Sequence, residues 1–191
     1  MILELSRKNR SYRAFDETKP LTRQQLAALV EPTRFCPSSV NMQPMKYYLS
    51  CTPEQNGRIF PLTRWARLLK DYDGPAEGQR PTGYIIVCVD ENILPNTDRA
   101  KTDVGIVAQT IMLAAVEQGL GGCMIANFDK DALKAAISLP EKMFPALILA
   151  LGVPAEEIIL EEIADGESTK YYRDAEGRHH VPKRRLEDIL L

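Results

Sequence analysis

Asp103-Val104-Gly105-Ile106-Val107-Ala108-Gln109-Thr110-Ile111-Met112-Leu113-Ala114-Ala115-Val116-Glu117-Gln118 sets the architecture of this chain. Val104, Ile106, Val107, Ala108, Ile111, Met112, Leu113, Ala114, Ala115 and Val116 leave almost no polar stripe, so the stretch predicts a helix buried on nearly every face. In a chain of 191 residues such a helix either runs through the middle of the only core or supplies a subunit interface, and the two are compatible. Gly119 suits the cap at its C-terminal end. Cys123-Met124-Ile125-Ala126 then reads as a short strand, and Asp129 as the cap of a helix carrying Leu133, Ala136 and Ile137.

The flanking segments extend the pattern. Tyr84-Ile85-Ile86-Val87-Cys88-Val89 is a continuous apolar run between Gly83 and Asp90, and Ala146-Leu147-Ile148-Leu149-Ala150-Leu151 is another; both read as buried strands. Thr22 with Gln25 is a capping-box signature, and Leu26, Leu29 and Val30 recur at helical spacing, so a helix starts there and bends or ends at Pro32. Lys46-Tyr47-Tyr48-Leu49-Ser50-Cys51 is rich in strand formers, and Thr52-Pro53-Glu54-Gln55 repeats the cap logic with proline at the first helical position. Between Leu62 and Gly83, Trp65, Leu68 and Leu69 mix with Asp71-Tyr72-Asp73-Gly74-Pro75, which alternates helical turns with loop punctuation. Residues 157–191 read as charged and irregular, with only weak apolar alternation from Val181 to Ile189. No linker composition or internal repeat divides the chain, so residues 1–191 are expected to form one α+β domain.

Lys and Arg total 24 against 26 Asp and Glu, a net charge of -2, so no global field exists to hold a nucleic-acid backbone or an acidic membrane, and any anion site must be local. No apolar run reaches membrane-spanning length, and Glu4 interrupts the N-terminal run too early for a signal-peptide core, so a cytoplasmic protein is expected. Cys36, Cys51, Cys88 and Cys123 are widely scattered, which argues for buried free thiols over a zinc site or a redox dithiol. His179 and His180 are the two histidines, and adjacent residues of an extended chain point apart, so no metal site is expected.

Arg10-Ser11-Tyr12-Arg13 concentrates two guanidinium groups and a hydroxyl, and Pro37-Ser38-Ser39-Val40-Asn41-Met42-Gln43-Pro44 packs hydroxyls, amides and prolines into a rigid loop. Arginine's planar fork matches phosphate oxygens two at a time, so the pair suits an anionic, planar, hydrogen-bonding ligand. Lys183-Arg184-Arg185 lacks the interleaved aromatics of a nucleic-acid patch, but Lys183 and Arg185 would share one side of an extended segment and could reach the same anion. Gly119-Leu120-Gly121-Gly122 follows a helix and precedes a strand, the reverse of the dinucleotide fingerprint, so it reads as a helix end and a tight turn.

In order along the chain stand Asn9-Arg10-Ser11-Tyr12-Arg13-Ala14-Phe15-Asp16, the Pro37-Ser38-Ser39-x-Asn41-x-Gln43-Pro44 loop, the segment Gly119 to Asp129, and Lys183-x-Arg185. Together they resemble the nitroreductase family of FMN-dependent oxidoreductases. The resemblance implies an α+β fold with a central mixed or antiparallel sheet flanked by helices, in an intertwined homodimer that lodges two FMN molecules at its interface. It implies that Arg10, Ser11, Lys183 and Arg185 hold the FMN phosphate and ribityl chain, and that Arg13 lies nearer the N1 and C2-carbonyl edge of the flavin. Pro37, Ser38, Ser39, Asn41 and Gln43 would come from the partner subunit, and the backbone around Ile125, Ala126 and Asn127 would approach the ring near N5.

The activity implied is hydride transfer from NAD(P)H through the flavin to a small conjugated acceptor such as a nitroaromatic or quinone, with no catalytic side chain. A non-catalytic FMN-binding or sensing protein, and a fold relative acting on the flavin itself or on halogenated substrates, are the alternatives. The chain departs from the family pattern at Asn9, where many relatives carry arginine, at Met124 for a frequent tryptophan and at Asn127 for a common glycine. Trp65, the one tryptophan, could close over the flavin but fits better in the core.

Overall fold

The computed structural model describes residues 1–66, 68–69 and 72–191; Asp71, assigned above to loop, lies outside them. Ile2–Lys8 (α1) is a short surface helix with none of its residues buried. Arg23–Val30 (α2) starts at Thr22, whose side chain accepts from the Gln25 backbone N–H while the Gln25 amide oxygen accepts from the Thr22 backbone N–H, the reciprocal cap the sequence predicts. At Pro32 the α-helix gives way to a 3-10 turn over Glu31–Phe35. Met45–Ser50 (β1) leads to Pro53–Ile59 (α3), capped by Thr52, and then to Gly83–Asp90 (β2), in which every residue is buried.

Lys101–Glu117 (α4) is the apolar helix, and Gly119 follows it at φ 73°, the left-handed conformation that a helix end favours and glycine adopts without strain. Gly121–Ile125 (β3), Lys130–Ala136 (α5, capped by Asp129) and Met143–Gly152 (β4) complete the main body. The sheet order is β1-β2-β4-β3, with every neighbouring pair antiparallel.

Strand alternation divides the core into two layers. Ile85, Val87 and Val89 of β2, with Leu147, Leu149 and Leu151 of β4, pack against α2 and α4. Tyr84, Ile86 and Cys88, with Ile148 and Ala150, pack on the other face against Phe15, Ile59 of α3, Leu133 of α5 and Trp65. Trp65 is therefore a core residue, its indole N–H bonded to the Thr63 hydroxyl at 2.8 Å. Cys88 and Cys123 are buried, whereas Cys36 and Cys51 are half-buried, and all four thiols are free. Among the described residues no helix is long and apolar enough to cross a membrane.

Two features depart from the sequence expectation. Residues 157–191 are not irregular: Ile158–Ile163 (β5), Tyr172–Arg173 (β6) and His179–Arg184 (β7) form a second sheet of order β5-β7-β6, parallel between β5 and β7 and antiparallel between β6 and β7. Nor is α4 buried all round within one chain. Val104, Val107, Ala108, Ile111, Met112 and Ala115 face the core, while Gly105 and Gln109 are exposed and Ile106, Leu113 and Val116 only half-buried.

Candidate functional site

The second sheet and the edge of the first enclose a cavity of about 340 Å³. Its floor is set by β3. Ser11 bridges to Gly122, and the Tyr12 backbone N–H donates to the Gly122 carbonyl at 3.0 Å, so the segment Arg10–Arg13 lies along the outer edge of that strand. A Cβ at Gly121 would stand 2.4 Å from Tyr12 Cδ2 and 2.7 Å from Pro154 Cγ, so only glycine admits this approach. The glycine run thus ends a helix, as its sequence context suggests, and also provides the seat for the arginines.

Arg10 donates from Nη2 to the Ser6 carbonyl at 2.7 Å, and Arg13 from Nη1 to the Ser11 carbonyl at 3.2 Å. The Arg13 guanidinium stands over the Tyr171 ring at 5.1 Å from its centroid, and Tyr72, its pKa pushed up to about 12 by burial, donates to the Arg13 carbonyl at 2.8 Å. Burial also pulls the Arg10 pKa below its ordinary value, a penalty on the charged form that an anion in the cavity would relieve.

Strand β7 supplies the opposite wall. His179, Val181 and Lys183, alternate residues of one strand, all line the cavity. Gln109 and Met112 of α4 and Met124 of β3 complete it, with Asn9 bonded to Gln109 through their side chains at 3.3 Å. Behind the wall, buried Glu156 accepts from the Arg13 backbone N–H and from Arg173 at 3.0 Å, and its Oε2 lies 3.9 Å from His179 Nδ1. Burial alone would raise the Glu156 carboxyl, but the His179 ring, the Arg13 N–H and the Arg173 charge together hold it below the usual carboxylate value.

Arg10 Nε, Arg13 Nε and both ring nitrogens of His179 are buried without a hydrogen-bond partner among the described residues. Leaving a buried polar group unpaired costs about 1–3 kcal/mol. Three residues bearing such atoms around one cavity fit a bound molecule rich in acceptor oxygens or nitrogens, as a phosphorylated flavin is.

The loop Pro37 to Gln43 lies elsewhere. Asp103, buried at the start of α4, accepts from the Ser38 hydroxyl at 2.7 Å and from the Ser39 backbone N–H at 3.1 Å, and Ser38 Oγ accepts from the Gln43 N–H at 3.0 Å. Asn41 and Gln43 bond through their amides at 3.1 Å. Val40, Asn41 and Gln43 stand at φ 51°, 54° and 50°, a left-handed run that Asp103 anchors and that is unusual for a β-branched valine. Pro37, Ser38 and Gln43 line a separate cavity of about 160 Å³ beside Asp103 and Val107. The two sites are therefore strung along α4, Asp103 preceding Met112 by about 14 Å of helix.

Of the residues singled out from the sequence, Arg10, Ser11, Arg13 and Lys183 meet around the larger cavity, and Pro37, Ser38 and Gln43 of the loop, but not Ser39 or Asn41, line the smaller one. Ile125 has its side chain in the core, and Ala126 and Asn127 are exposed just beyond β3. Arg185 stands outside the cavity wall, beside Glu162 at 3.5 Å and Glu187 at 4.0 Å. The sequence weighs His179 only as a metal ligand, Gln109 and Met112 only as parts of the apolar helix, and Tyr171 not at all, so none is expected at this cavity; period-two spacing back from Lys183 would have placed His179 there.

The family model described as "Nitroreductase family" matches residues 7–78 and 91–153. A Bacillus subtilis protein provisionally named NAD(P)H nitroreductase YdgI is 24% identical over 190 residues, covering 81% of this chain and 89% of its own. The crystal structure of a nitroreductase family protein from Clostridium difficile superposes with a TM-score of 0.64 at 22% identity, covering 81% of this chain and 84% of that one. The NADPH:FMN oxidoreductase of Vibrio harveyi, solved with NAD+, gives a TM-score of 0.62 at 22% identity, covering 81% and 66%. With the family model spanning most of its length and the same fold recurring in these structures, the chain belongs to the nitroreductase family of oxidoreductases.

Proposed function

We propose that the protein is a homodimeric, FMN-dependent oxidoreductase that takes hydride from NADH or NADPH and delivers electrons to a small conjugated acceptor such as a nitroaromatic or a quinone. The observation that carries the reading is the cavity whose buried Arg10, Arg13 and His179 nitrogens lack partners. Arg10 and Lys183 would hold the phosphate, Ser11 the neighbouring oxygens, and Arg13 the N1 and C2-carbonyl edge of the ring. When bound, FMN supplies the hydride chemistry at N5, which is why no side chain is assigned as acid, base or nucleophile.

The chain's own part is to fix the tail, place positive charge beside the pyrimidine edge and leave one ring face open. Pro37, Ser38, Ser39, Asn41 and Gln43 would serve the partner's site, because within one chain they lie apart from the arginines. The half-buried apolar face of α4 supports such pairing. The names of the Bacillus subtilis relative and the Vibrio harveyi enzyme agree with the nicotinamide and flavin assignments.

The test is to purify the protein, reconstitute it with FMN, and follow the flavin absorbance while NADH or NADPH is added without oxygen. Bleaching, reversed by a quinone or nitroaromatic, is the expected result. A protein that cannot be loaded with FMN ends the reading, and a firmly bound flavin that neither nicotinamide bleaches would make the chain a flavin-binding module.

A further inference from the structure

We propose that Glu156 and Tyr72 are positioning residues: they clamp the main chain of Arg13 from its two sides, Arg173 of β6 ties the clamp together, and the circuit fixes the guanidinium that faces the pyrimidine edge of the bound flavin. The inference rests on the FMN reading above and deepens it.

The residues on either side of Arg13 are seated by main-chain bonds. The Tyr12 N–H donates to the Gly122 carbonyl, the Phe15 N–H to the Gln79 carbonyl and the Ala155 N–H to the Ala14 carbonyl, all at 3.0 Å. Arg13 differs. Among the described residues both of its main-chain groups go to side chains: its N–H donates to Glu156 Oε1, and its carbonyl accepts from the Tyr72 hydroxyl at 2.8 Å. Backbone polar groups require partners, and here they come from segments far apart in sequence, Tyr72 from the stretch before β2 and Glu156 from the stretch after β4.

The two partners are joined to each other. Arg173 Nη2 donates to Glu156 Oε2 at 3.0 Å, and the same guanidinium lies over the Tyr72 ring at 5.0 Å from its centroid. The path from Arg13 through Glu156, Arg173 and Tyr72 therefore closes on itself. With the Glu156 side chain 7% exposed and that of Arg173 33%, the ion pair is better shielded from solvent than a surface pair. His179 Nδ1, 3.9 Å from Glu156 Oε2, is the further neighbour of the carboxylate.

Holding both the N–H and the carbonyl of one residue orients the two peptide planes that meet at its Cα, and so aims its side chain. From that fixed root the Arg13 guanidinium reaches over the Tyr171 ring and is steadied by the Ser11 carbonyl. Reduction of a flavin gathers negative charge at N1 and the C2 carbonyl. A cation already in place there stabilises that charge without rearranging, whereas a loosely held one stands farther off and contributes less.

The experiment measures the midpoint potential of the bound flavin by equilibration with a reference dye, which reports the affinity for reduced over oxidised FMN. Tyr72→Phe removes one oxygen and leaves the ring beneath Arg173; Glu156→Gln keeps an acceptor for the Arg13 N–H but loses the charge paired with Arg173. Each should cut the preference for reduced FMN by about fourfold, as when a unit charge pair near 4 Å parts by about 1 Å, which is a potential about 18 mV lower for a two-electron couple. Arg13→Gln should lower it further, and adding Tyr72→Phe to Arg13→Gln should change nothing more, because a clamp acts only through the charge it holds. Thermal melts establish that each variant is folded, and the one-atom change Tyr72→Phe carries the test if Glu156→Gln does not fold. An unshifted potential in Tyr72→Phe, or an equal shift with and without the Arg13 guanidinium, overturns the clamp while leaving the FMN reading intact. Failure of wild type to bind FMN at all overturns both.

Discussion

A side chain at position 121 would occupy the space in which Tyr12 and Pro154 already sit, so this glycine governs where Arg10 and Arg13 stand. Gly121→Ala should destabilise the protein by about 1–3 kcal/mol, the usual cost of overpacking, and weaken FMN binding because the arginine segment is pushed off β3. Urea unfolding and FMN titration check both, and unchanged stability would show that the segment is not seated there. Arg10→Ala removes a charged donor and should lower FMN affinity by about 1.5–3 kcal/mol, read by titrating the apo-protein. Arg10, Ser11, Arg13 and Lys183 were legible in the sequence because charge and hydroxyl chemistry announce themselves without a fold. The places of His179 and Glu156 were not, since a histidine considered only for a metal and one glutamate among many find their place only when β7 turns the first inward and the chain after β4 brings the second beside it. Arg185 shows the converse: period-two spacing puts it on the side of Lys183, but β7 ends at Arg184, and Arg185 turns to Glu162 and Glu187.

At the level of elements, the second sheet carries a network of charged and aromatic side chains across its strands. His180 Nδ1 meets Glu161 at 2.6 Å, its Nε2 meets Asp174 at 3.0 Å, and Tyr172 stacks on the ring at 4.7 Å, so one side chain links β5, β6 and β7. Hydrogen bonds to Asp174 and Glu161 raise the His180 pKa above the ordinary 6.5, and the hydrogen bond from His180 is the first cause that lowers Asp174. The signs are opposite. The raised histidine contributes stability that is fully present below pH 6.5 and lost as pH rises through its folded value. The depressed aspartate contributes stability present above 3.8 and lost as pH falls through its folded value. The sheet should therefore be best protected in the mildly acidic range, with the protection factors of β5 and β7 amides, measured relative to the intrinsic base-catalysed exchange rate, falling as the solution becomes alkaline. In His180→Gln that alkaline loss should vanish, and its persistence would sink the argument. This same chemistry hid the sheet from the sequence: Glu161, Glu162, Lys183 and Arg184 interrupt apolar alternation, whereas β2 and β4, buried along nearly their whole length, were legible as plain apolar runs.

For the whole molecule, α4 is the element whose apolar surface one chain leaves partly uncovered. Its sequence asks for burial all round, yet Ile106, Leu113 and Val116 remain half-buried, and the loop anchored by Asp103 borders a cavity separate from the one lined by Arg10 and Arg13 beside Gln109 and Met112 of the same helix. A second copy crossing α4 about a two-fold axis would cover that face, and the self-complementary contact would carry each loop toward the partner's cationic cavity. The binding site and the interface would then be one structure, so flavin affinity and association should fail together. Ile106→Glu replaces a side chain worth about 1.5–3 kcal/mol on burial with a charge that has no partner there. It should raise the dimer dissociation constant by more than about tenfold, and light scattering should show monomer at concentrations where wild type is dimeric. FMN affinity of the variant should recover as protein concentration rises, because ligand and partner stabilise the same assembled state. A variant that is monomeric yet binds FMN as tightly as wild type, at every concentration, would mean that one chain builds the whole site alone and that the Pro37 to Gln43 loop has no part in it.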